Sequence, residues 1–116
     1  MALQRAKLSD IQSIASSAGS IYANPASTKT FLRGLMLHNT NTTTEVVKLY
    51  VVPDSTGSVG TAASSHLVLN ISLPANDTLL VEFPYPLVLT DTNDSVQAMT
   101  TTASKVTVML FGDKDA

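Results

Sequence analysis

Among the side chains that most often carry chemistry, this sequence offers two histidines, nine carboxylates and no cysteine. The two imidazoles are His38 and His66. A zinc site needs three or four ligands at short spacings, and the sequence supplies no such set around either histidine. The missing cysteine excludes disulfides and thiolate metal sites. Asp91-Thr92-Asn93-Asp94 carries part of a calcium-loop pattern, without the glycine and the distal glutamate that complete one, so an acidic turn is the simpler reading. Glycoside hydrolysis needs two carboxylates flanking a cleft, and nothing pairs the only glutamates, Glu45 and Glu82. No nucleophile elbow, phosphate-binding loop, dinucleotide fingerprint or zincin motif occurs. The expectation is a protein that is not an enzyme, with no catalytic, cofactor-binding or metal-binding residues and no cofactor.

The elements that would have to position any site read as strands. Fifteen threonines and thirteen serines favour pleated surfaces and turns over helices. Leu67, Leu69, Ile71 and Leu73 alternate with His66, Val68, Asn70 and Ser72, the period-2 signature of a half-buried strand. The same alternation sets Val47, Leu49 and Val51 against Val46, Lys48 and Tyr50. It recurs through Leu79, Val81 and Phe83, and through Val106, Val108 and Leu110. Residues 30–38 and 95–102 complete the main runs, and Gly19–Ala23 is a shorter one. Pro84 and Pro86 bracket Tyr85 and mark that stretch as an edge or a bulged crossing. Turns are expected at Asn24-Pro25, 39–44, 54–65, 74–77, 90–94 and 103–104.

Seven or eight short strands with no room for crossover helices must pair antiparallel. The predicted fold is all-β: an antiparallel β-sandwich, jelly-roll-like, with an extended N-terminal arm. The boundary is drawn between an arm with the first strand at 1–27 and the sandwich at 28–116. The expected core is Leu35, Leu37, Val47, Leu49, Val51, Leu67, Leu69, Ile71, Leu79, Val81, Val96, Val106, Val108 and Leu110.

Only 14% of residues are charged, against a usual share of about 25%. With 44% hydrophobic residues the chain is not disordered, and much of its surface must be neutral polar or covered by partners. Residues 1–33 carry a net charge of +3 and the remainder −5. The acidic body makes nucleic acid an improbable partner. No run of about 18 apolar residues is present, so no membrane span is expected, and the first residues do not form a secretory signal. Four Asn-X-Ser/Thr sequons, at Asn41, Asn70, Asn76 and Asn93, are then incidental to an Asn/Thr-rich chain.

The runs Phe31–Asn39, Glu45–Pro53, Leu73–Phe83, Pro86–Ala98 and Lys105–Gly112, in that order, resemble small β-sandwich virion proteins of tailed bacteriophages, of the capsid decoration (cement) or tail-accessory type. The resemblance covers residues 28–112 and brings no active site with it. It implies a structural virion protein, made in the host cytoplasm and bound to the outside of a phage head through the major capsid protein or another virion protein. A tail or fibre accessory, or a carbohydrate-binding adhesion module, is the alternative. The expected state is a homo-oligomer, a trimer before a dimer. Its interface residues are expected to be Leu3, Arg5, Lys7 and Leu8 in a clamping arm, with Val46, Tyr50, Met99 and Met109 on the body.

Overall fold

Each alternating run buries one side, and two sheets stack on those sides. The computed structural model describes the backbone of residues 3–115 and the side chains of residues 7–115. The strands are β1 (Leu3–Lys7), β2 (Gln12–Ser13), β3 (Gly19–Ala23), β4 (Lys29–Asn39), β5 (Glu45–Val52), β6 (Leu67–Leu73), β7 (Thr78–Leu89), β8 (Ser95–Thr100) and β9 (Val106–Asp115). The first sheet runs β1-β9-β4-β7, with β2 sharing the β9 edge, and the second runs β3-β8-β5-β6. All the pairings are antiparallel. Most successive strands therefore alternate between sheets, which is the double Greek-key order of a jelly roll. The expected β-sandwich is the observed fold, with eight strand positions, one of them shared by β1 and β2.

Between the sheets lie Leu35 and Leu37 of β4, Val47 and Leu49 of β5, Val96 of β8, and Val106, Val108 and Leu110 of β9, all essentially inaccessible to solvent. Those eight were expected in the core. Leu69, Ile71, Leu79 and Val81 also pack against this cluster but stay half-buried, while Leu67, likewise half-buried, lies outside it. Their strands, β6 and β7, are the edges of their sheets, and the turn Pro74–Asp77 stacks one beside the other on the same flank. Asn76 makes that turn in the left-handed region (φ 57°), which asparagine tolerates. Val51 is half-buried as well.

The N-terminal segment is extended, but it is not separate from the sandwich. β1 and β2 pair in register with β9 of the same chain. The Leu8 amide donates to the Leu110 carbonyl and the Ile14 amide to Val106, both at 2.9 Å. Ala15 accepts from the Thr100 amide at the end of β8, which belongs to the other sheet. Residues 8–15 thus strap the two sheets together, and Leu8 and Ile14 enter the core cluster. The boundary expected at 27/28 has no counterpart in this packing. Neither does the short helical turn that the spacing of Leu8, Ile11 and Ile14 suggests, because β9 offers that backbone an edge to pair with.

Buried polar side chains tie the loops. Asn39 donates its amide to the carbonyls of Thr43, Leu73 and Pro74 and accepts from the Asn41 amide. Asn24 donates to Thr28 and Asp91 and accepts from the Thr30 hydroxyl. Glu45 is buried at the start of β5 and accepts from the Thr102 amide (2.7 Å) and the Asn41 side chain (3.0 Å). Burial pushes its carboxyl up, but those donors and the nearby Lys105 outweigh burial and hold it below its ordinary value.

Two predictions follow from this packing. Truncating Ile14 to alanine should cost about 2–5 kcal/mol, read as a fall in the urea midpoint, because it opens a cavity in the core; a terminus with no role in the fold would show no change. A carboxyl held low when folded contributes stability above its unfolded pKa and loses it as pH falls through the folded value. The unfolding midpoint should therefore drop on acidification below about pH 4.3, and Glu45→Gln should flatten that dependence while lowering stability at neutral pH.

Candidate interaction surface

The outer face of the first sheet is apolar where a solvated sheet would be polar. Register places Met36 of β4 directly opposite Leu80 of β7 on one side and Met109 of β9 on the other. These three side chains form a row across the sheet, and Ile11, in the link between β1 and β2, extends it at the far end. Ile11 is 67% exposed, Leu80 51% and Met36 38%. A shallow dent of about 70 Å³ lies among Ile11, Met36, His38, Thr107, Val108 and Met109. Cross-strand rows on one face interact directly, so the strip is continuous.

The neighbouring rows frame it. His38 lies opposite Thr78 and Thr107, and its Nδ1 is hydrogen-bonded to the Thr78 hydroxyl at 2.7 Å. On the other side Gly34 lies opposite Glu82 and Phe111. A Cβ at Gly34 would meet the Phe111 ring at 2.8 Å and the Val81 carbonyl at 2.5 Å, so only glycine lets that ring lie flat over β4. The register shift between Leu32 and Gly34 extrudes Arg33, which folds over the buried Asp113 carboxylate and pairs with it. Arg33 is itself half-exposed, so the pair covers the buried carboxylate from the solvent side.

The outer face of the second sheet is different, because the chain covers part of it. The link from β5 to β6 folds back over β5 and β8: the Gln97 side chain donates to the Gly60 carbonyl at 2.8 Å, and Gly60 sits against Val52. Tyr50 is only 8% exposed, and its hydroxyl donates to the Met99 sulfur at 3.4 Å. What remains open is a depression of about 280 Å³ among Val46, Lys48, Met99, Thr100 and Thr101.

The expected interface residues are therefore divided. Val46 and Met99 meet on the second sheet, Tyr50 is consumed within the chain, and Met109 lies on the opposite outer face with Met36. Leu8 is a core residue rather than an external anchor, and Lys7 pairs with Asp10 in its own loop. The side chains of Leu3 and Arg5 lie outside the described residues. Sequence reading missed Met36, Leu80 and Ile11. The signal for Met36 and Leu80 was their position one residue off the buried alternation, where a soluble strand would carry a polar side chain.

The titratable groups gather in one further place. Carboxylate oxygens of Asp54, Asp91 and Asp94 all lie within 4.8 Å of one another. Asp94 accepts from the amides of Asp54, Thr90 and Asp91, and Asp54 from that of Gly57. These bonds shape the two loops and bring the three carboxylates together. His66 is far from His38 in the fold, at the start of β6, and accepts from the Ala63 amide at 3.1 Å. Among the described residues no helix is long and apolar enough to cross a membrane.

No family model matches this chain, and no curated protein matches it. A solved structure does: one from Bacillus endospore appendages, which form a novel family of disulfide-linked pili. It superposes with a TM-score of 0.59 over 97% of this chain and 86% of that one, at 17% identity. At that identity the likeness establishes a shared fold. It supports a small β-rich domain, and the resemblance to bacteriophage virion proteins is not confirmed by it.

Proposed function

We propose that this chain is a non-catalytic structural subunit that works in many copies on a larger particle. The observation that carries the reading is the apolar row Leu80-Met36-Met109 with Ile11 on an uncovered sheet face. A soluble monomer gains nothing from such a strip, and a contiguous exposed apolar patch commonly marks a protein-binding site. The low charge content fits the same role, since the cores of interfaces are depleted in charged residues.

In its finer form the proposal is that the particle is a phage head, decorated from outside, with the major capsid protein beneath the first sheet. The sequence resemblance supports this form. The shared fold favours a second form, a subunit of an extracellular filament. Those pili are described as disulfide-linked, and this chain has no cysteine, so a filament built from it would need non-covalent joints.

Purified protein added to heads assembled without it should co-sediment with them and raise their thermal stability. The double variant Met36→Glu/Leu80→Glu should fold normally and bind at least about tenfold more weakly, because it puts two charges into a desolvated contact. Equal binding by wild type and variant, or no binding by either, would overturn decoration through this face. Filaments formed by the protein alone would favour the second form.

A further inference from the structure

The jelly roll is closed on one flank and open on the other. Where β1 and β3 lie, residues 8–15 strap the sheets together and Leu8 and Ile14 are buried. Where β6 and β7 lie, the inward side chains Leu69, Ile71, Leu79, Val81 and Phe83 remain half-exposed. The four sheet edges also differ in their protection. Natural edges are guarded by charge, proline, bulges or shortness. β1 carries Arg5 and Lys7, β3 is five residues long with a register shift between Ser20 and Tyr22, and β7 carries Glu82, Pro84 and Pro86. β6, Leu-Val-Leu-Asn-Ile-Ser-Leu, has no charge and no proline, and its one irregularity is a register shift against β5 between Leu67 and Leu69, which leaves 69–73 regular.

We propose that β6 is the docking edge for β6 of a second copy, paired antiparallel about a two-fold axis at Asn70. Pairing about that centre sets Asn70 opposite Asn70, Leu69 opposite Ile71, Val68 opposite Ser72 and Leu67 opposite Leu73. Facing residues keep the same side of the sheet, so the inward, half-buried Leu69 and Ile71 of each copy cover those of the other. The outward positions meet as neutral pairs, and the two central amides can satisfy each other. Neutrality is what singles out a second copy: a self-pairing strand sets every charge against a copy of itself, and this strand has none. A two-fold contact also uses the same surface twice and closes.

The size of the contact sets its strength. Seven residues span about 23 Å, and the two stacked edges present a footprint about 20 Å across, or roughly 450 Å² a side, below the roughly 800 Å² of a standard stable interface. The dimer is therefore a weak one in solution, and it gains from the other contacts of a particle. The inference rests on reading the chain as an assembling structural subunit.

The cysteine-free chain makes the test clean, since any disulfide must come from an introduced residue. Asn70 is exposed, so Asn70→Cys should leave the fold intact. Facing residues of an antiparallel pair lie within disulfide reach. Under mild oxidation Asn70→Cys should become a covalent dimer. Val68→Cys and Ser72→Cys, each about 14 Å from its own copy, should not link alone but should link when mixed. Asn70→Asp should raise the dimer dissociation constant about tenfold without lowering the unfolding midpoint, because within the chain it faces Lys48 and only in the dimer does it face a like charge. Equal linking by Val68→Cys and Asn70→Cys alone, or a monomer at high concentration with no linking, overturns the inference. If Asn70→Cys instead links only with a Leu80→Cys partner, β6 pairs head-to-tail with β7; the two-fold contact is then wrong, while the assembly reading stands.

Discussion

The strap from Leu8 to Ala15 is the constraint on which the rest of the sandwich depends. Two sheets without a disulfide must be held face to face by burial alone, and the chain adds a backbone clamp at one flank. Leu8 and Ile14 bond to β9 in the first sheet, while Ala15 bonds to the end of β8 in the second. Ser104, in the turn between β8 and β9, donates to Ile14 as well. The strap therefore fixes both the spacing of the sheets and the position of the loop that joins them. Pairing with β9 places the first strands at that flank, while at the flank of β6 and β7 the core stays half-open.

The neutral surface has a matching logic. Two buried carboxylates are answered locally: Asp113 by Arg33, and Glu45 by Thr102, Asn41 and Lys105. The loops are drawn together by buried amides rather than by ion pairs, with Asn39 and Asn24 each joining segments far apart in sequence. An amide brings both donors and acceptors and no charge to desolvate, so it can be buried fully bonded at little cost. The faces left over carry threonine, serine and apolar side chains. Such a surface suits contacts built from many small neutral pairs.

Strands and turns were legible because period-2 alternation is local. The runs at 45–52, 67–73 and 106–111 show it within a few residues, and Pro84 and Pro86 announced an edge. Burial was less legible, because it depends on strand order. Leu69 and Leu49 look alike in sequence, yet Leu49 lies in a central strand and Leu69 on an edge. Leu8 and Ile14 looked like an arm because their neighbours are small and polar, and only the pairing with β9, about a hundred residues away, turns them inward. The apolar face was hidden for the same reason: Met36, Leu80 and Met109 are scattered in sequence and become one row only through register. Tyr50 looked exposed by parity and is not, since the loop that covers it carries no periodic signal.

A chain without cysteine cannot lock its neighbours covalently, so any assembly it joins must be stabilised by number. The flank and the outer face of the first sheet point in different directions, and neither is large. When one contact holds a subunit on a particle, the second becomes intramolecular, at an effective concentration that can reach the millimolar range. Weak surfaces of this size then suffice together where neither would alone. On the proposed reading a free subunit would stay largely unpaired, which would spare it from aggregating through the uncharged β6 edge before it reaches its site. On the proposed reading, the half-open core and the unguarded strand would be defects in a monomer and joints in an assembly. On that reading their weakness leaves the free subunit unpaired, and only their combination would hold it in place.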